Sequence, residues 1–196
     1  MTTFRLFGTL TSPYVRRVRI VAAELGLTAE LVDTFTDEGQ AALRAINPAW
    51  KVPSVEIEGQ AIFDSRVICE HLVNVYGPGP LTASSADVAE TNQQTVTDAA
   101  LDALINVFYL GRDGVTADQA SYLDKQRARA TSCMTWLEER VSASERFGLS
   151  EIGLVTALDW MRFRDTYPVD DHPRLAALLA RHAGRASVVV TRPPTQ

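Results

Sequence analysis

Apolar and polar positions in the first eighty residues switch between short strand-like runs and helical spacing. Thr3 to Phe7 reads as a strand. Pro13 to Leu25 reads as a helix stopped by Gly26, with Val15, Val18, Ala22 and Leu25 recurring on a sheet-facing stripe. Arg16, Arg17 and Arg19 fall mostly on the other side of that helix. Glu30 to Asp33 is a second strand, and Asp37 to Ile46 a short helix or helical loop that ends before Asn47-Pro48. Ser54 to Ile57 and Gln60 to Phe63 flank Glu58-Gly59, a pair suited to a hairpin, and Ser65 to Tyr76 is the third helix.

The order β-α-β-α-β-β-α is the thioredoxin-like layout, a βαβ unit with a right-handed crossover followed by a hairpin and a covering helix. Tyr76-Gly77-Pro78-Gly79-Pro80 breaks the pattern and reads as a linker that Leu81 to Ser85 continues. Beyond it strand signals vanish. Ala86 to Leu110 predicts a long helix or kinked pair, and Ala117 to Val141 another, with Leu123, Ala130, Met134, Leu137 and Val141 on one stripe. Leu149 to Arg164 is more apolar and is the candidate for the buried centre of the second half. Pro173 to Ala183 is a further helix, capped by Asp171 or His172 and ended by Gly184, and the tail from Arg192 to Gln196 is expected to be mobile. The expected architecture is α/β plus all-α: a thioredoxin-like domain over residues 1–77, a linker over 78–85 and a helical-bundle domain over 86–196.

Bulk numbers bound the function classes. The 196 residues carry 46% hydrophobic and 22% charged side chains and a net charge of −5. That balance suits a globular protein and argues against nucleic acid, which requires a basic stripe. No apolar run approaches the roughly 20 residues of a membrane span, and the first residues lack a signal-peptide pattern, so a cytoplasmic protein is expected. Cys69 and Cys133 fall in different helices without metal-ligand spacing, which predicts buried free thiols, no disulfide and no metal site. His71, His172 and His182 are scattered and read as helix-surface or interface residues.

Thr11-Ser12-Pro13-Tyr14 carries the chemistry. Ser12 is placed to cap a helix that starts with proline, and the first N–H groups of a helix favour an anion such as a thiolate. Asn47-Pro48-Ala49-Trp50-Lys51-Val52-Pro53 leads into a strand, and Phe63-Asp64-Ser65-Arg66 opens another helix. Together, in this order, these segments resemble the N-terminal domain of the cytosolic glutathione S-transferases, above all bacterial members that begin with a strand and T-S-P-[FY]-V-R-[KR]. The resemblance reaches the second half through Thr156-Ala157-Leu158-Asp159-Trp160.

The resemblance implies the fold above, a glutathione co-substrate and a role for each segment. Ser12 would hydrogen-bond the glutathione thiolate as a stabiliser rather than a nucleophile, with Thr11 and Tyr14 as competitors. Phe7 stands where tyrosine-type members carry their tyrosine, and the absence of cysteine at Ser12 argues against exchange through a protein thiol. Val52, before a cis Pro53, would offer its backbone to the cysteinyl unit, and Lys51 would reach the glycine carboxylate. Ser65, as helix cap, and Asp64 would hold the γ-glutamyl end. Arg66 would brace a partner subunit, and Asp98 would lend an acid across a dimer. Trp50 replaces the glycine of many relatives and would line the pocket, close part of it or pack against the second domain. Gly148 replaces the hydroxyl of a capping box whose acid, Glu151, is kept. The electrophile pocket would lie near Leu10, Phe108, Tyr109 and Arg112.

The expected function is conjugation of glutathione to a small electrophile by a homodimer active in detoxification. A non-catalytic binding or regulatory scaffold and a glutathione-dependent peroxidase or reductase are the alternatives.

Overall fold

The computed structural model describes residues 2–84 and 87–194. Ser85 and Ala86, where the linker was expected to end and the long helix to begin, lie outside the described residues, as do Met1, Thr195 and Gln196. The first elements are β1 (Thr3–Gly8), α1 (Pro13–Glu24), β2 (Thr28–Asp33), α2 (Asp37–Ile46), β3 (Ser54–Ile57), β4 (Gln60–Phe63) and α3 (Ser65–Tyr76). The sheet order is β2-β1-β3-β4, with β1 parallel to β2 and antiparallel to β3, and β3 antiparallel to β4. This is the thioredoxin-like βαβαββα arrangement that the sequence pattern predicts, and a helical second half follows it. The later helices are α4 (Val88–Arg112), α5 (Tyr122–Arg140), α6 (Leu149–Phe163), α7 (Pro173–His182) and α8 (Ala186–Val190).

The chain forms two compact units: Met1–Ala83 with Arg146–Ile152 and Ala183–Gln196, and Ser84–Glu145 with Gly153–His182. In the first, Leu6, Phe7, Val15, Val18, Val55, Ile68 and Leu72 are fully buried, so β1, β3, α1 and α3 share one apolar core. Gly8 ends β1 where a Cβ would lie 2.3 Å from a Val15 methyl, so its missing side chain lets the first turn of α1 close onto the strand. In the second unit Ala100, Leu101 and Leu104 of α4 and Leu123, Ala130, Met134 and Leu137 of α5 are buried. Glu138 caps α7 there by accepting from the Arg174 and Leu175 N–H groups at 2.9 and 3.0 Å.

The structure corrects several expectations. First, Arg16 and Arg17 are buried rather than displayed. Arg16 donates to the Val188 carbonyl at 3.2 Å and Arg19 to the Thr191 carbonyl at 3.1 Å. Second, these carbonyls end α8, a helix that the β-branched run Val188-Val189-Val190 gave no reason to expect. Arginine donors satisfy the last carbonyls of a helix and suit the negative end of its dipole. Arg185 at the N-terminal end of α8 pairs with Glu24 at 2.6 Å, and Ser187 also donates to Glu24. Third, α5 starts at Tyr122 rather than Ala117, because Gln119 accepts from the Thr116 N–H at 2.9 Å and holds a separate turn. Fourth, Cys133 is half-buried and His182 is buried, although both described cysteines are free.

The opening of α6 follows the half-kept capping box. Glu151 accepts from the Gly148 N–H at 2.9 Å, and the Gly148 carbonyl takes the Ile152 N–H. The lost hydroxyl has a steric reason: a Cβ at Gly148 would lie 2.8 Å from the Thr82 carbonyl oxygen.

Candidate functional site

Strand register decides which candidate residues meet. Phe7 lies opposite Ser54, and Ser54 lies opposite Phe63. The chain leaving β1 toward Ser12, the chain entering β3 through Lys51, Val52 and Pro53, and the chain leaving β4 through Asp64 and Ser65 therefore share one end of three adjacent strands. Neighbouring strands are about 5 Å apart, so the three segments are neighbours. Helices α1 and α3 both begin at this end, and each directs its positive dipole end toward it.

Ser12 is the N-cap of α1, with extended φ and ψ, and Pro13 follows at the first helical position. Its Oγ accepts from the Val15 N–H at 3.3 Å. No group among the described residues takes the Ser12 hydroxyl proton. Thr11 is engaged differently, with its Oγ1 3.4 Å from that of Thr9. Tyr14 lies in the helix with the Arg17 guanidinium 5.0 Å from its ring centre. Phe7 is buried in the core.

The segment before β3 is built around Asn47, which is 1% exposed. Its Nδ2 donates to the Lys51 carbonyl at 3.0 Å and to Ser54 Oγ at 2.9 Å, and its Oδ1 accepts from the Ala49 N–H at 2.8 Å. This side chain substitutes for backbone partners in a turn. The Val52–Pro53 bond is cis. Neither backbone polar group of Val52 forms a hydrogen bond among the described residues. Lys51 is exposed. Trp50, also exposed at 60%, has φ 55° and lies beneath the Arg44 guanidinium, 4.7 Å from the ring centre. A left-handed residue is where glycine fits best, which accounts for the glycine of the resembling pattern.

At α3 the cap assignment changes. Asp64, not Ser65, is the N-cap: its carboxylate accepts from the Arg66 and Val67 N–H groups at 2.8 and 3.4 Å. An ionised side chain one residue earlier reaches both amides, which leaves Ser65 as the first helical residue. Ser65 is 5% exposed and its Oγ accepts from Arg17 Nη1 at 3.4 Å. Its proton, like that of Ser12, has no acceptor among the described residues.

Neither cysteine has a lowered thiol pKa. Burial, partly opposed by the Arg17 charge, pushes the Cys69 thiol up to about 12, and burial also raises Cys133. Among the described residues no group of three His, Cys, Asp or Glu side chains could hold a metal, and no helix is long and apolar enough to cross a membrane.

The second unit contains the other candidates. Phe108 stacks edge-on against Trp160 and Tyr109, with ring centres 5.8 and 5.4 Å apart, and Arg112 lies over Tyr109. Asp98 lies on α4. Sequence reasoning missed Asn47, for which the Asn-Pro pair was the available signal, and Arg17, for which helical spacing pointed the wrong way.

Residues 6–80 match the family model for the glutathione S-transferase N-terminal domain. The chain is 30% identical over 76 residues to the "Probable glutathione transferase" of Aplysia californica, covering 39% of this chain and 83% of that protein. It is 28% identical to the "Uncharacterized GST-like protein YibF" of Escherichia coli (strain K12), across 97% of this chain and 98% of that one. Among solved structures it is similar to a glutathione transferase family member from Pseudomonas fluorescens Pf-5 with bound glutathione. The identity there is 29%, the TM-score 0.83, and the coverage 97% of this chain and 99% of that one. The chain belongs to the glutathione S-transferase family.

Proposed function

We propose that the protein binds glutathione at the shared end of β1, β3 and β4 and conjugates its thiolate to a small electrophile. The observation that carries this reading is the pair of serines. The Ser12 and Ser65 hydroxyls each accept from the protein, at 3.3 and 3.4 Å, and at each helix start the proton has no acceptor among the described residues. Two such donors at positive helix ends suit two anionic groups of one ligand, a thiolate and a carboxylate. The glutathione held by the Pseudomonas fluorescens relative supplies a ligand with both.

In this reading Ser12 donates to the sulfur, and the start of α1 favours its negative charge. A free thiol has a pKa near 8.5, so lowering it raises the thiolate fraction at neutral pH. The proton leaves to solvent. The sulfur then forms a bond to the electrophilic carbon as the leaving group departs with its electron pair. The backbone of Val52, entering the sheet beside Pro53, pairs with the cysteinyl unit like an added strand. Lys51 serves the glycine carboxylate, and Asp64 and Ser65 serve the γ-glutamyl end. This makes the protein a serine-type transferase. The raised thiols of Cys69 and Cys133 favour it over exchange through a protein cysteine.

We further propose that it works as a two-fold dimer. On α3, Val67 and Val75 lie about two turns apart and are both more than half exposed, and Phe63 at the end of β4 is exposed as well. A second copy would cover them.

The test is glutathione affinity and turnover with an aryl halide, run beside an organic peroxide. Turnover lost with affinity largely kept in Ser12→Ala, and affinity lost in Ser65→Ala, support the reading. Binding without turnover toward either substrate would instead make the protein a scaffold.

A further inference from the structure

We infer that Arg17 is a positioning residue for the γ-glutamyl carboxylate and acts through Ser65; the inference rests on the glutathione reading of the site. Arg17 is 4% exposed, on the second turn of α1, and its Nη1 donates to Ser65 Oγ across 3.4 Å. A serine hydroxyl has one proton and two lone pairs. A guanidinium can only donate, so Arg17 fixes which way the hydroxyl is used. The oxygen faces Arg17, and the proton is turned to a different acceptor. Ser65 is 5% exposed and opens α3, where the dipole favours an anion, so the acceptor that fits is a carboxylate seated at that helix end. A donor bonded to the oxygen also polarises the O–H, which strengthens the bond it gives.

The contact also joins the two anion-binding ends. Ser12 begins α1, Arg17 follows it on the same helix, and Ser65 begins α3. The guanidinium carbon also lies 5.0 Å from the centre of the Tyr14 ring, a contact that helps to hold the planar group. Lysine at this position would keep the charge and lose the fork.

The experiment is a ligand cycle by calorimetric titration of the full chain. Glutathione is compared with 4-aminobutyryl-cysteinyl-glycine, which keeps the amine and lacks the α-carboxylate. We expect Arg17→Met to weaken glutathione about tenfold, the scale of one charge-assisted hydrogen bond, and to leave the analogue within about twofold. Arg17→Lys should recover part of the loss. In a Ser65→Ala background Arg17→Met should have no further effect on glutathione. Equal loss for both ligands, or no loss for either in a folded variant, overturns the role of Arg17 while the site reading stands. A wild-type chain that binds neither ligand overturns both.

Discussion

A serine at the start of a helix can serve the backbone with a lone pair and still have a proton to give. Ser12 does the first through the Val15 N–H, and the proposed chemistry uses the second. Ser12→Ala removes both. We expect turnover to fall about 10- to 100-fold, the worth of a hydrogen bond to a charged group, with the Michaelis constant for glutathione changed less than threefold. Steady-state kinetics with an aryl halide checks this, and Thr11→Ala should stay near wild type. The cap at Ser12 was legible because a hydroxyl followed by proline has few other readings. At α3 two cap-competent residues adjoin, and sequence cannot say which one leaves the strand. Asp64 does so, at φ 71°, and Ser65 is drawn inside against Arg17. Trp50 shows the same limit. Its departure from glycine was visible, but its stacking under Arg44 depends on a loop that Asn47 builds.

At the scale of elements, local signals found β3, β4, α2 and α3 at their observed ends, because turns and caps bound them closely. They missed α8, whose stability is tertiary. Arg16 and Arg19 serve its last carbonyls, and Glu24 holds Arg185 at the other end. Burial pushes the Glu24 carboxyl up, but hydrogen bonds from Arg185 and Ser187 and the Arg185 charge outweigh it, so it titrates below its ordinary value. A carboxyl whose folded value is depressed gives stability that is complete above the unfolded value. That stability is lost as pH falls through the folded one. Glu24→Gln should therefore cost about 1–2 kcal/mol at neutral pH, a gap that narrows below about pH 4. Urea unfolding at the two pH values reads it, and a gap that widens in acid would contradict it. Gly148 gives a second test at this scale. Gly148→Ser restores the hydroxyl of the capping box, worth only a few tenths of a kcal/mol over glycine. It also drives a Cβ to 2.8 Å from the Thr82 carbonyl. We expect a net loss of about 1–2 kcal/mol in thermal unfolding.

At the scale of the molecule, the sheet brings together the three segments, distant in sequence, that the proposed site assigns to one ligand. The register of β1, β3 and β4 brings their chain ends together whatever the loops contain. The segments were legible as motifs, and their meeting was an implication of the family resemblance. The arginines beneath them were not, because a helix periodicity distinguishes apolar from polar faces and cannot show a charged side chain folded under its neighbours. The exposed valines of α3 belong to this scale as well. The protein should sediment at micromolar concentration near twice its 21.5 kDa mass, and Val67→Asp with Val75→Asp should shift it to monomer.

The most direct measurement is the ionisation of glutathione on the protein, followed by the ultraviolet absorbance of the thiolate as pH is raised. The account predicts a bound thiol pKa at least about one unit below the free value near 8.5, a stabilisation of about 1.4 kcal/mol, largely abolished in Ser12→Ala. A bound thiol that titrates like free glutathione, or a lowered value that survives the loss of the Ser12 hydroxyl, would contradict it.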